Sequence, residues 1–101
     1  MEDQAIYEEI IRLKRERIPA ALAIVVDSTG SAPRKAGAKM LVREDGSLLG
    51  TVGGGKIEAD TVRAVPQALE EGFPKTLSFS LTEEHGLMCG GEVQVYIEPL
   101  V

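Results

Sequence analysis

The sequence has no tryptophan and only two tyrosines and two phenylalanines among its 101 residues. A core must therefore be built from Val, Ile, Leu, Ala and Met, and no aromatic platform for stacking nucleic-acid bases is evident. There is one cysteine, Cys89, which excludes an internal disulfide, fits a reducing compartment and leaves a free thiol to explain. An excess of basic residues is also missing: 11 Lys and Arg stand against 16 Asp and Glu, a formal net charge of -5. Nucleic acid and acidic membrane surfaces are held by phosphate neutralisation on a basic face, so neither is expected as a partner. No apolar run reaches bilayer-spanning length, and Met-Glu-Asp-Gln lacks the basic and apolar regions of a signal peptide, so a cytoplasmic location is expected.

What is present suits one domain. With 44% hydrophobic and 27% charged residues, the chain has the size for a single core and no room for a second. From Asp3 to about Arg17, Ile6, Ile10 and Leu13 recur at helical spacing, with Asp3 as the expected N-cap and Arg12, Lys14, Arg15 and Arg17 late, in the order the helix dipole favours. Ala20 to Asp27 is a continuous apolar run and the expected central strand, covered on both faces. Ser28 to Gly37, rich in small, turn-forming and basic residues, is expected as a loop. Asp45-Gly46 between two extended runs, Ala38 to Arg43 and Ser47 to Val52, signals a hairpin.

A helix is expected over Lys56 to Glu71, with Ile57, Val62, Val65 and Leu69 as its buried stripe, Pro66 kinking or splitting it, and Gly72 as its stop. Lys75 to Leu81 and Glu92 to Glu98 alternate as strands around an irregular segment, Thr82 to Gly91. The sum is an α+β single domain with a mixed sheet of about five strands and two helices, divided into an N-terminal helix (1–18) and a core (19–101).

The junction Gly50-Thr-Val-Gly-Gly-Gly-Lys56 has the separation of a phosphate loop, but Ile57 stands where a hydroxyl would hold magnesium. Nucleotide hydrolysis is rejected on that ground. Anion binding at the helix start is retained, against the plainer reading of a tight strand-to-helix turn. Ser31, Arg34 and Lys35 could add hydroxyls and cations, although a solvated loop explains them equally. In His85-Gly-Leu-Met-Cys89-Gly90-Gly91 the thiol sits among turn residues rather than in an apolar strand. Two soft ligands do not close a zinc site, and no third group orients a Cys-His hydrolase.

Several of these motifs together carry a resemblance: Ser28 to Arg34, Gly37 to Met40, Asp45-Gly46, Gly50 to Gly55 with Glu58, and Cys89-Gly90-Gly91 with Val93, Val95 and Glu98-Pro99. In order and spacing they resemble the N-terminal domain of the XdhC/CoxI family, accessory proteins of molybdenum-hydroxylase maturation. The resemblance implies a non-catalytic protein that binds molybdenum cofactor, a phosphorylated pyranopterin, and aids its insertion into an apo-enzyme such as xanthine or carbon monoxide dehydrogenase. It implies that Ser31, Arg34, Gly53, Gly54, Gly55, Lys56 and Glu58 contact the phosphate or pterin, and that Cys89, Gly90 and Gly91 meet the molybdenum or its sulfur.

Full-length members continue into a Rossmann-like domain, which is not expected in this chain. A separate Rossmann-domain protein or a second copy is therefore the partner implied beside the apo-enzyme. Lys56 and Met88 stand where relatives carry other residues, among them cysteines, so a two-thiol mechanism is not carried over. Two rivals remain at this point: sulfur transfer centred on Cys89, and an interaction module that docks a partner along the Lys75 to Leu81 edge.

Overall fold

Ala20 to Val25 is the run around which the sheet assembles. The computed structural model describes residues 2–30, 36–80 and 91–100, and in it this run opens β1 (Ala20–Gly30). The other elements are α1 (Glu2–Arg15), β2 (Lys39–Arg43), β3 (Leu48–Gly50), α2 (Gly55–Glu71), β4 (Lys75–Ser80) and β5 (Gly91–Leu100). Strand order is β3-β2-β1-β5-β4, so β1 is central as expected.

Its side chains serve two cores on opposite faces. Ala21, Ala23 and Val25 pack with Met40, Val42, Val93, Val95 and Ile97 beneath Ile57, Val65 and Ala68 of α2. Ala20 and Leu22 pack with Leu41 and Leu100 beneath Ile6 and Leu13 of α1. The small alanines let both helices lie close, and each fully buried Ile or Leu contributes roughly 2 kcal/mol from the apolar area it removes from water.

The α+β single-domain architecture is the one read from the sequence, but the sheet is antiparallel in every pairing rather than mixed. The helical crossover α2 suggests parallel neighbours because it joins strands that run the same way. It leaves β3 at one edge and enters β4 at the other, so the two strands it joins never touch.

Local boundaries also differ. β1 does not stop at Asp27: Ser28, Thr29 and Gly30 pair with Val93, Glu92 and Gly91 after a bulge at Val26, which shifts the register between Val25 and Asp27. The extra residue is 47% exposed and flips the alternation, so that Ser28 shares a face with Val93. Gly91, expected in an irregular segment, is a strand residue.

Asp3 is not an N-cap but lies within α1, where its carboxylate accepts from Lys39 Nζ at 3.1 Å. Helix α2 runs unbroken through Pro66, because proline removes only one helical donor and this one lies on the exposed side. Its buried stripe is Ile57, Thr61, Val65 and Ala68, with Val62 and Leu69 only partly covered. The hydroxyl of Thr61 tolerates this burial by donating to the Ile57 carbonyl at 2.7 Å. Gly72 ends the helix as expected, left-handed at φ 74° with its N–H on the Ala68 carbonyl.

Candidate functional site

The glycine-rich junction begins where β3 runs out against β2. Gly50 has φ 88°, and a Cβ there would collide with the Lys39 carbonyl and with Cδ1 of Ile6, so this glycine is set by close packing. Thr51 then anchors the turn twice. Its N–H donates to the Lys39 carbonyl at 3.0 Å, and its Oγ1 accepts from the Gly53 N–H at 3.1 Å while donating to Glu58 Oε2 at 2.6 Å. A single residue thus ties the strand end, the turn and the first turn of α2 together.

Gly53, Gly54 and Gly55 have φ of 137°, 74° and 55°. A Cβ at Gly54 or Gly55 would meet nothing within 4 Å, so those two are required by backbone conformation and leave open space. Gly54 is the N-cap and offers no side-chain hydrogen bond. The first amides of α2 therefore face outward at the positive end of the helix dipole without a side-chain acceptor at the cap. The charges around them are already paired: Lys56 Nζ lies 3.1 Å from Asp60, which also takes Arg63 at 2.7 Å. The Lys56 hydrogen bond, more than Arg63, holds the Asp60 carboxyl below its ordinary range.

Beside this turn a groove of about 550 Å³ runs between the β2–β3 hairpin and α2, lined by Gly46, Leu48, Gly55, Glu58, Ala59, Val62 and Arg63. It adjoins a second hollow of about 210 Å³ that shares Gly46 and Val62 and is walled by Val42, Pro66 and Leu69. The arrangement offers outward amides, one carboxylate, one guanidinium and aliphatic walls, a combination able to hold a flat polar molecule.

Of the residues singled out from the sequence, Gly53, Gly54, Gly55, Lys56 and Glu58 come together here, with Gly55 and Glu58 on the groove wall. Gly91 is the first residue of β5, paired with Gly30. Ser31, Arg34, Cys89 and Gly90 lie outside the described residues. The register nonetheless fixes where their segments attach. Gly30 is opposite Gly91, so residues 31–35 and 81–90 begin at neighbouring strand ends. Gly50 pairs with Met40, Met40 with Ala23 and Ala23 with Ile97. The stretch from Ile97 to Gly91 therefore separates the level of Gly50, the last residue of β3, from that of Gly91 by roughly 20 Å at strand rise, and β3 points toward the Gly91 end as it enters the glycine turn. Among the described residues no group of three or more His, Cys, Asp or Glu could hold a metal ion, and no helix is long and apolar enough to cross a membrane.

Sequence reasoning missed Thr51, although a hydroxyl two residues before an amide of a glycine turn is a known local motif that could have marked it. It also missed the groove wall of Leu48, Ala59, Val62 and Arg63. Those residues meet across a hairpin and a helix, and no local pattern announces that contact.

Comparison with known proteins places this geometry among relatives. Residues 13–80 match the model of the XdhC and CoxI family. The Escherichia coli (strain K12) protein YqeB is 40% identical over 96 residues, covering 91% of this chain and 18% of that protein. A probable xanthine dehydrogenase subunit from Bacillus subtilis (strain 168) is 33% identical over 93 residues, covering 85% of this chain and 28% of its own length. Among solved structures, a xanthine dehydrogenase from Bacillus halodurans superposes with a TM-score of 0.79 at 31% identity, over 93% of this chain and 30% of that one. The chain thus spans less than a third of the length of each of these relatives.

Proposed function

The chain belongs to the XdhC and CoxI family, and from that premise we propose that it is an accessory domain, not itself a catalyst, which binds molybdenum cofactor and aids its insertion into a molybdenum hydroxylase in the cytoplasm. The observation that carries the reading is the family match across residues 13–80, which spans the whole glycine junction and the helix that follows it. Relatives named for xanthine dehydrogenase support the choice of enzyme class.

The residues present fit such a ligand. Outward amides at Gly54 and Gly55, without a side-chain acceptor at the cap, suit a phosphate, and the adjoining groove has the volume of a small-molecule site. In this account the Gly53 to Gly55 turn and Lys56, released from Asp60, bind the phosphate together with Ser31 and Arg34. Cys89 would supply a thiolate for the metal end, where a soft ligand is apt. The bound group supplies the molybdenum centre on which the target enzyme depends; the domain supplies binding and shelter. Its partner in this reading is the molybdenum-hydroxylase apo-enzyme.

Anaerobic incubation with cofactor released from a donor enzyme, gel filtration, and molybdenum and pterin assays test this. Co-elution of both with the wild type and their loss from Cys89→Ala is the expected result. Absence of both from the wild-type peak contradicts cofactor binding, and equal retention by Cys89→Ala removes the thiol from the site. A gain of one sulfur on Cys89 after exposure to a sulfur donor, read by mass spectrometry, would favour sulfur transfer instead.

A further inference from the structure

Among the described residues Glu58 is the only carboxylate on the wall of the groove beside α2, and its place is unusual for a site built only for anions. It sits in the first turn of the helix, half-buried, and would repel a phosphate brought against it. Thr51 holds it there with a 2.6 Å hydrogen bond to Oε2. That bond occupies one of about four lone-pair positions on the carboxylate, so both oxygens keep the capacity to accept from a ligand.

Two carboxylate oxygens side by side match a ligand edge that presents two parallel N–H donors. The flanking wall is aliphatic, Leu48, Ala59 and Val62, which suits the faces of a flat ring in a chain without tryptophan. Arg63 on the same wall spends Nη1 on Asp60 and retains further donors for a carbonyl oxygen or an acidic substituent. We infer that this groove takes a flat heterocycle with a 2-amino-4-oxopyrimidine edge, and that Glu58 reads its ring N–H and exocyclic amino group.

Pterins and guanine share that edge. The inference deepens the proposed function and rests on it only in preferring the pterin. It assigns Glu58 to the ring and leaves the phosphate to the amides of the glycine turn. Thr51 is a positioning residue in this scheme, since it orients Glu58 without touching the ligand.

The test titrates 6-hydroxymethylpterin into the chain by fluorescence, with lumazine, which has an oxo group in place of the 2-amino group, as the control. Saturable pterin binding, at least tenfold weaker lumazine binding, and a loss of tenfold or more in Glu58→Gln with unchanged helix content are expected, because a site that pairs with donors rejects ligands lacking them. Guanosine binding as tightly as the pterin, with inosine rejected, would support the same edge and assign it to a purine. No pterin binding, equal affinity for lumazine, or an undiminished Glu58→Gln would overturn the inference. Should Glu58→Gln fail to fold, Ala59→Arg at an exposed wall position fills the groove: lost pterin binding supports the assignment and retained binding refutes it.

The two readings fail separately. Cofactor retained equally by wild type and Glu58→Gln removes the ring assignment and leaves the proposed function. Glu58-dependent pterin binding by a chain that retains no cofactor does the reverse.

Discussion

The two helices meet the sheet in contrasting ways. At α1 the polar groups are spent on the fold: Glu9 accepts from Arg12 and from Arg43 of β2 at 2.8 Å, and Asp3 holds Lys39, whose ammonium also lies 5.8 Å from the Tyr7 ring centroid. At the start of α2 one hydroxyl links the Gly53 amide to the Glu58 carboxylate, and Gly55, Glu58 and Arg63 line a groove. Dense internal pairing marks the first region as scaffold. Polar groups with capacity left over, on a backbone kept free of side chains, mark the second as the place for a ligand.

Gly50 joins the two regions, and breaking it has the largest expected effect. Gly50→Ala combines a left-handed backbone with a collision against Lys39 and Ile6 and should cost about 4 kcal/mol, read as a lower urea midpoint. Ile6→Val should recover part of that loss, since Ile6 Cδ1 is one of the atoms struck. Ile6→Ala alone, at a fully buried position under α1, should cost about 3 kcal/mol in the same assay and leave ligand binding by the folded fraction unchanged. Thr51→Val should cost about 1 kcal/mol through the lost hydrogen bonds, but weaken pterin binding more than its stability change implies.

The smallest effect is one of pH. Hydrogen bonds from Arg12 and then Arg43 push the Glu9 carboxyl down to about 2 from 4.5. Its folded pKa is depressed, so its stabilising contribution is complete above about 4.5 and is lost as pH falls toward about 2. Urea midpoints across that window should fall less steeply in Glu9→Gln than in the wild type.

The elements were legible where one periodicity ruled. The Ala20 to Val25 run named the central strand, Asp45-Gly46 the hairpin and Gly72 the helix stop, because each is a local preference that packing did not oppose. Asp3 was misjudged as a cap because its carboxylate finds Lys39, 36 residues away, and no local rule anticipates such a partner. The extension of β1 through Ser28 to Gly30 was hidden for a similar reason: small polar residues read as a loop until a facing strand supplies their hydrogen bonds. At the site the glycines and Glu58 stood out in the sequence. The Thr51 latch and the groove wall emerged only when hairpin and helix were brought together.

The most direct test of the central claim is the amount of molybdenum retained per chain after anaerobic loading and gel filtration, compared between one variant from each region. Gly54→Ala places a side chain on a backbone at φ 74° and ψ -173° with open space around it, at a strain of about 2 kcal/mol, whereas Ile6→Val trims the α1 core by one methylene. The account predicts close to one molybdenum per chain in wild type and Ile6→Val and a clear loss in Gly54→Ala. Equal retention by all three, or none in the wild type, would contradict it.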